Sequence, residues 1–323
     1  MLNTNVKRSS ILFLYESKNN IPNGDPFTGM QRMDETTNRP LISDVRIKRY
    51  IRDQMIALNE YAGGKDTVYL REVTPDEVKQ SKVSEDATAS AAQIKLLEIL
   101  YSEDESLYKI KNKKKVIDIE KLLLKCIDVR LFGGVATEKG NNACITGAVQ
   151  FQMLSPALHA VSSQILQNTS VFQSSVEKKQ GSIGTSNIIP YSTNQIVGWV
   201  SPLTAQQNGL KEEEVLYALK CLWDAVNTIS TRSKQGQYSL LMLKINYNDI
   251  FHKTNLIDSL ISVNSSIAVE DIRSIKDYSF DFSKLVDYVG SDIVDSIDMR
   301  VAPEIKSDVI PKIDVISNKI KWI

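Results

Sequence analysis

The chain predicts an α+β fold: a ferredoxin-like or RRM-like βαββαβ core carrying a helical insertion and a β-hairpin insertion. Three observations predict it. Four short runs rich in β-branched and aromatic residues punctuate the sequence, two segments of helical period fall after the first and the third of them, and two polar stretches interrupt the order.

The first run, "SILFLYE" (Ser10–Glu16), reads as a central strand. Asn20–Pro40 follows, crowded with Asn, Gly, Asp and Pro and too long for a simple connection. Ser43 is a suitable N-cap, and Asp44 suits the first helical turn. Ile47, Ile51, Met55 and Leu58 then recur at helical spacing, leaving Arg46, Lys48, Arg49 and Arg52 on the polar arc. Tyr61–Glu120 reads as an insertion: "YAGGKD" breaks the helix, "ASAAQIKLLEILYSED" has a weak helical period, and Lys109–Lys115 is a lysine run expected to be a solvated loop.

A helix over Ile117–Val129 leads into the Gly133–Gly134 pair, which permits close backbone approach. "ACITGAVQFQM" (Ala143–Met153) reads as one strand, and the polar Gln164–Thr193 as a long protruding hairpin or arm. "QIVGWVSP" (Gln195–Pro202) is the returning strand, Lys211–Ile229 the clearest helix, and "YSLLMLKINYN" a buried strand after the basic loop Ser230–Gln237. Beyond it, two or three acidic helices and a short terminal strand are expected.

Lys plus Arg equals Asp plus Glu at 39 each, so net charge names no partner. The charges are nonetheless segregated. Five bases and one acid lie between Arg39 and Arg52, against eleven acids and six bases from Glu270 to Asp314. Cys126, Cys144 and Cys221 form no CxxC pair, and His159 and His252 are solitary, which argues against a disulfide framework and a metal site. No apolar run approaches membrane-span length, and the N-terminus is not a signal peptide, so a cytoplasmic setting without membrane contact is expected. GxSxG, GxGxxG and Walker patterns are absent, and no cofactor is implied.

Asp25 is the best lone candidate for a catalytic acid. An Asn-Gly-Asp-Pro turn that bonds its own backbone explains it more simply. The cations are better organised. Arg46, Lys48, Arg49 and Arg52 on the first helix, Arg130 before the double glycine, and Arg232 and Lys234 (with Gln235) before the last core strand sit at the edges of the core. In a ferredoxin-like topology they suggest a nucleic-acid groove that holds phosphates. An RNP aromatic signature is missing.

"NGDP", "NRPLISDVRIKRYIRD", "DVRLFGGV" and "ITGAVQF" occur in this order and spacing. In that, the chain resembles the backbone subunit of type I CRISPR Cascade complexes, the seventh Cas family in its Csh/Csd-like branch, nearest subtype I-B. The resemblance implies a hand-shaped protein. Residues 1–60, 121–163 and 195–323 would form an RRM-like palm, 61–120 fingers and 164–194 a thumb hairpin. It further implies a non-enzymatic homo-oligomer that polymerises along the crRNA, kinks it at regular intervals and presents it to target DNA. Its companions would be the small and large subunits and the fifth and sixth Cas families. Lys48, Arg49 and Arg52, with Arg46, would grip guide phosphates, beside turns shaped by Asn23, Gly24 and Asp25 and by Phe132, Gly133 and Gly134. Lys178 and Lys179 are the thumb's only cations. The alternative is a ribonuclease like the type III backbone group, cutting target RNA with Asp25. A CRISPR RNA-processing endonuclease would lean on histidine, for which His159 and His252 are poorly placed.

Overall fold

The computed structural model describes residues 3–62, 67–84, 88–111, 114–137, 142–173 and 181–323. Lys178 and Lys179 lie outside them. The fold is mixed α+β and divides into two compact units: Met1–Arg8, Lys48–Gln150 and Val200–Leu222 form one, and Ser9–Ile47, Phe151–Trp199 and Trp223–Ile323 the other. Among the described residues no helix is long and apolar enough to cross a membrane.

The second unit is built on a sheet with strand order Gln164–Gln173, Gly181–Val200, Ser9–Asn20, Gln237–Tyr247, Val294–Val301 and Ile320–Trp322. Ser9–Asn20 is interior, as its apolar run predicts, and Ile11 to Tyr15 are wholly buried. It pairs antiparallel with Gln237–Tyr247, with a bulge at Leu14/Tyr15. The strand read as Gln195–Pro202 begins much earlier, at Gly181, where it pairs antiparallel with Gln164–Gln173.

Val294–Val301 corrects the expectation of acidic helices alone. "VDSIDMRV" alternates apolar and polar residues from Ile297 to Val301 and so fits a strand. It pairs antiparallel with Gln237–Tyr247, placing Lys244 opposite Asp298 and Asn246 opposite Ser296. Lys244 is buried, and its Nζ reaches Asp298 at 3.3 Å and the Asn246 side chain. Asn246 in turn donates to Asp298 (2.8 Å) and Ser296 (3.2 Å). A small sheet of Met33–Asp34, Arg39–Ser43 and Leu154–Pro156 structures the segment expected to be an irregular loop.

In the first unit, Ile94, Leu97, Leu122, Leu123, Val129 and Ile145 form one buried cluster with Tyr69. One helix stands where a weak period was visible, over Ala89–Leu100, and a second stands in the polar stretch before it. Pro75–Ser81 has a Thr74/Glu77 capping box, and Ala89–Leu100 is capped by Thr88. The lysine run is a ladder, not a solvated loop: Tyr108–Lys111 pairs with Lys114–Ile117, and Lys109 and Lys115 find Asp118 and Glu105. The helix expected over Ile117–Val129 is two short ones, Ile119–Leu123 and Ile127–Phe132.

The single strand expected over Ala143–Met153 is interrupted after Thr146, and the cause is a backbone crossing. Gly133, at φ +87°, pairs with Thr146, and a Cβ on it would collide with the Ile145 carbonyl and lie 2.8 Å from the Gly147 nitrogen. A Cβ on Gly147 would collide with the carbonyl carbon of Phe132. Only glycine at both positions allows the two segments to meet.

Candidate nucleic-acid interface

Three of the quoted motifs converge within the first unit. On the helix Asp44–Ala62, whose residues from Lys48 onward belong to this unit, Lys48 Nζ donates to Gln150 Oε1 at 3.2 Å. Gln150 Nε2 donates to the carbonyls of Phe132 (3.3 Å) and Gly147 (3.1 Å). The Phe132 ring lies under the Arg52 guanidinium, 5.2 Å from its centre. Arg52 Nε in turn donates to Asp128 at 2.8 Å. The basic helix, the "DVRLFGGV" segment and the "ITGAVQF" segment therefore form one contact network.

Within that network Arg52 is an internal group. It is 8% exposed and Asp128 is 0% exposed. Asp128 also accepts from the backbone N–H of Tyr69 (2.8 Å) and of Leu70 (3.1 Å). Arg52 is thus drawn inward: on the helix it lies one turn from Lys48 and Met55, and an acid awaits it there. Arg130 is similarly engaged, through the carbonyls of Leu124 and Lys125 and an ion pair with Glu214. Arg49 is different. Its side chain is exposed and makes open ion pairs with Asp53 (3.3 Å) and Glu72 (3.7 Å). Gly134 pairs with Ile145 beside the crossing.

In the second unit, Asn23 is buried and acts as a hub. Its N–H donates to Gln31 Oε1 (2.7 Å), its Nδ2 to the Leu41 carbonyl (3.2 Å), and its Oδ1 accepts from Ser43 Oγ (3.3 Å). Gly24 bridges to Gln31. Asp25 Oδ1 accepts from the N–H groups of Phe27 (2.9 Å) and Thr28 (3.2 Å), and Oδ2 pairs with Arg32 at 3.0 Å. The Phe27 amide, then that of Thr28, and last Arg32 hold the Asp25 carboxyl below its ordinary range. It is an ionised turn former.

Lys234 is buried, with Nζ on the Ile21 carbonyl. Burial, and secondarily the charge of Arg46, push its ammonium down to about 7. Arg232 and Gln235 are exposed on the same loop, and Arg46 is half-buried. His159 is buried, donating to the Ala160 carbonyl through Nδ1 and accepting the Thr193 N–H at Nε2, while burial lowers its pKa. Since a carbonyl only accepts, Nδ1 carries the proton. No group of three or more His, Cys, Asp or Glu that could hold a metal occurs among the described residues.

Sequence reasoning missed Asp128, Gln150 and Gln31. Asp128 leaves a signal, an acid flanked by Ile127 and Val129 at the head of a helix. The two glutamines leave none.

A family model described as "CRISPR-associated protein Cas7" matches residues 7–283. The CRISPR-associated protein Cas7 of Haloferax volcanii is 26% identical over 316 residues, covering 91% of this chain and 86% of that protein. Among solved structures, a chain of a "CRISPR RNA-guided surveillance complex, pre-nicking" aligns with a TM-score of 0.49 and 12% identity over 87% of both chains. A chain of a second "CRISPR RNA-guided surveillance complex" aligns with a TM-score of 0.46 and 11% identity, over 90% of this chain and 89% of that one.

Proposed function

Because the chain belongs to the CRISPR-associated protein Cas7 family, we propose that it is a guide-RNA-binding backbone subunit of a type I Cascade complex, nearest subtype I-B. Copies polymerise along the crRNA in the cytoplasm, kink it at regular intervals and present the intervening bases to target DNA. The sheet around Ser9–Asn20 serves as the RRM-like palm, residues 61–120 as fingers and 164–194 as thumb. Sequence choice then belongs to base pairing while the protein holds the backbone.

The observation that carries this reading is a division of labour among the cations. Arg52, Arg130 and Lys234 are drawn inside, onto Asp128, Glu214 and the Ile21 carbonyl. Lys48 and Arg49 in the first unit, and Arg46 and Arg232 in the second, stay at or near the surface. The surface set suits phosphates, and the inner set fixes the segments that present it. No catalytic part falls to Asp25, whose carboxylate is occupied by its own turn and by Arg32.

The test is RNA binding across salt. Lys48→Ala with Arg49→Ala should weaken binding of single-stranded RNA equally for unrelated sequences and reduce the salt slope by roughly 1 to 2. Wild-type protein purified with its guide should carry RNA of uniform length in a filament-like multimer. Sequence-selective loss, or a wild type that neither carries nor binds RNA, contradicts the proposal.

A further inference from the structure

The turn between Asn23 and Gln31 holds up an aromatic ring that the fold does not use. Phe27 is 96% exposed. Its backbone is nevertheless pinned: its N–H is taken by Asp25, Asp25 N–H bonds the Met30 carbonyl (2.7 Å), Gly29 N–H bonds the Asp25 carbonyl (2.8 Å), and Gly24 bridges Gln31. Asp25 and Arg32 pair, so the tip presents no net charge to a phosphate.

The root of the turn is fixed as well. Ile21 N–H bonds the Ser233 carbonyl (3.2 Å), Asn20 Nδ2 bonds the Gln235 carbonyl (3.1 Å), and Lys234 Nζ reaches the Ile21 carbonyl. The loop so joined to it exposes Arg232. An uncharged, rigidly mounted ring anchored to a cation-bearing loop is the pairing that sequence-tolerant single-strand binders use, stacking on a base while a cation meets the backbone. Met30, partly exposed on the same turn, adds a polarisable apolar surface.

We propose that Phe27 stacks on an unpaired base of the bound RNA. This rests on the RNA-binding reading above and adds a contact of a different physical kind. The ring has no hydrogen-bonding group, so it does not choose among bases, and it has no charge, so it leaves the salt slope untouched.

The experiment compares wild type, Phe27→Ala and Phe27→Trp binding single-stranded oligoribonucleotides with 2-aminopurine at successive positions, over a range of salt. Phe27→Ala should lose affinity on the order of tenfold, with an unchanged salt slope, unchanged melting temperature and lost quenching at specific positions. Phe27→Trp should keep the affinity, and its added indole fluorescence should be quenched by RNA. A Phe27→Ala protein that binds as tightly as wild type overturns the stacking. So does one whose deficit tracks loss of self-association, since the ring then meets protein. A wild type that binds no RNA overturns the RNA-binding reading itself, a result distinguishable from the others because it appears before any substitution.

Discussion

Arg52→Ala separates a structural cation from a ligand-binding one. In the native fold Asp128 is fully buried and takes three donors: Arg52 Nε at 2.8 Å and the amides of Tyr69 and Leu70 at 2.8 and 3.1 Å. Removing the guanidinium leaves a buried carboxylate with two amides and also removes the cation above the Phe132 ring. Breaking a buried pair from one side costs about 3–5 kcal/mol, a large share of a native stability of roughly 5–15 kcal/mol. The two surviving amides place the expectation near the lower end, about 3 kcal/mol. Asp128→Asn should cost at least as much, since a carboxamide must turn its NH2 toward one of three donors. Urea unfolding followed by both far-ultraviolet dichroism and tryptophan fluorescence reads the loss, the two probes also testing whether the units unfold together. An Arg52→Ala protein within about 1 kcal/mol of wild type, yet with lowered RNA affinity and a reduced salt slope, refutes the reasoning and returns Arg52 to the phosphate-binding set.

The remaining expectations concern the glycine crossing and Lys234. Gly147→Ala should cost more than about 4 kcal/mol because its methyl collides with the Phe132 backbone, whereas Gly134→Ala meets Val129 Cγ2 at 3.3 Å and should cost about 1 kcal/mol; equal melting shifts for the two would dismiss the crossing. For Lys234, the folded value of about 7 lies below its ordinary 10.5. The unfolded chain therefore binds more protons between those values, and stability rises with pH across the window. Wild-type stability relative to Lys234→Met should climb from pH 7 toward pH 10, and a pH-independent difference would show that burial does not lower the Lys234 pKa.

Elements with strong local signals were legible. The apolar run at Ile11–Leu14, the stripe of Ile47, Ile51 and Met55, and the acid-capped helix Glu212–Thr228 follow from periodicity alone. Val294–Val301 was lost because Asp295 and Asp298 look like a solvated surface until Lys244, far away in sequence, supplies a partner. The partners of Arg52 and Arg130 were hidden for the same reason. A cation on a helix is read as solvated, and only the fold reveals that Asp128 and Glu214 stand against them. The motifs marked segments that touch one another, but which side chains within them face inward depended on contacts between distant residues, such as Lys48 with Gln150.

The buried trio of Lys244, Asn246 and Asp298 bears on how the chain avoids threading its sheet wrongly. Gln237–Tyr247 and Val294–Val301 are both apolar enough to associate in several alignments. A slip of two residues would set Lys244 against Ser296 or Arg300 instead of Asp298. Either leaves an ammonium sealed among hydrocarbon with no counter-charge, while a slip of one turns every side chain to the opposite face. The trio thus acts as a key that only one alignment turns. Replacing it with well-packed apolar residues could leave the native state as stable and yet yield a protein that assembles into mixtures.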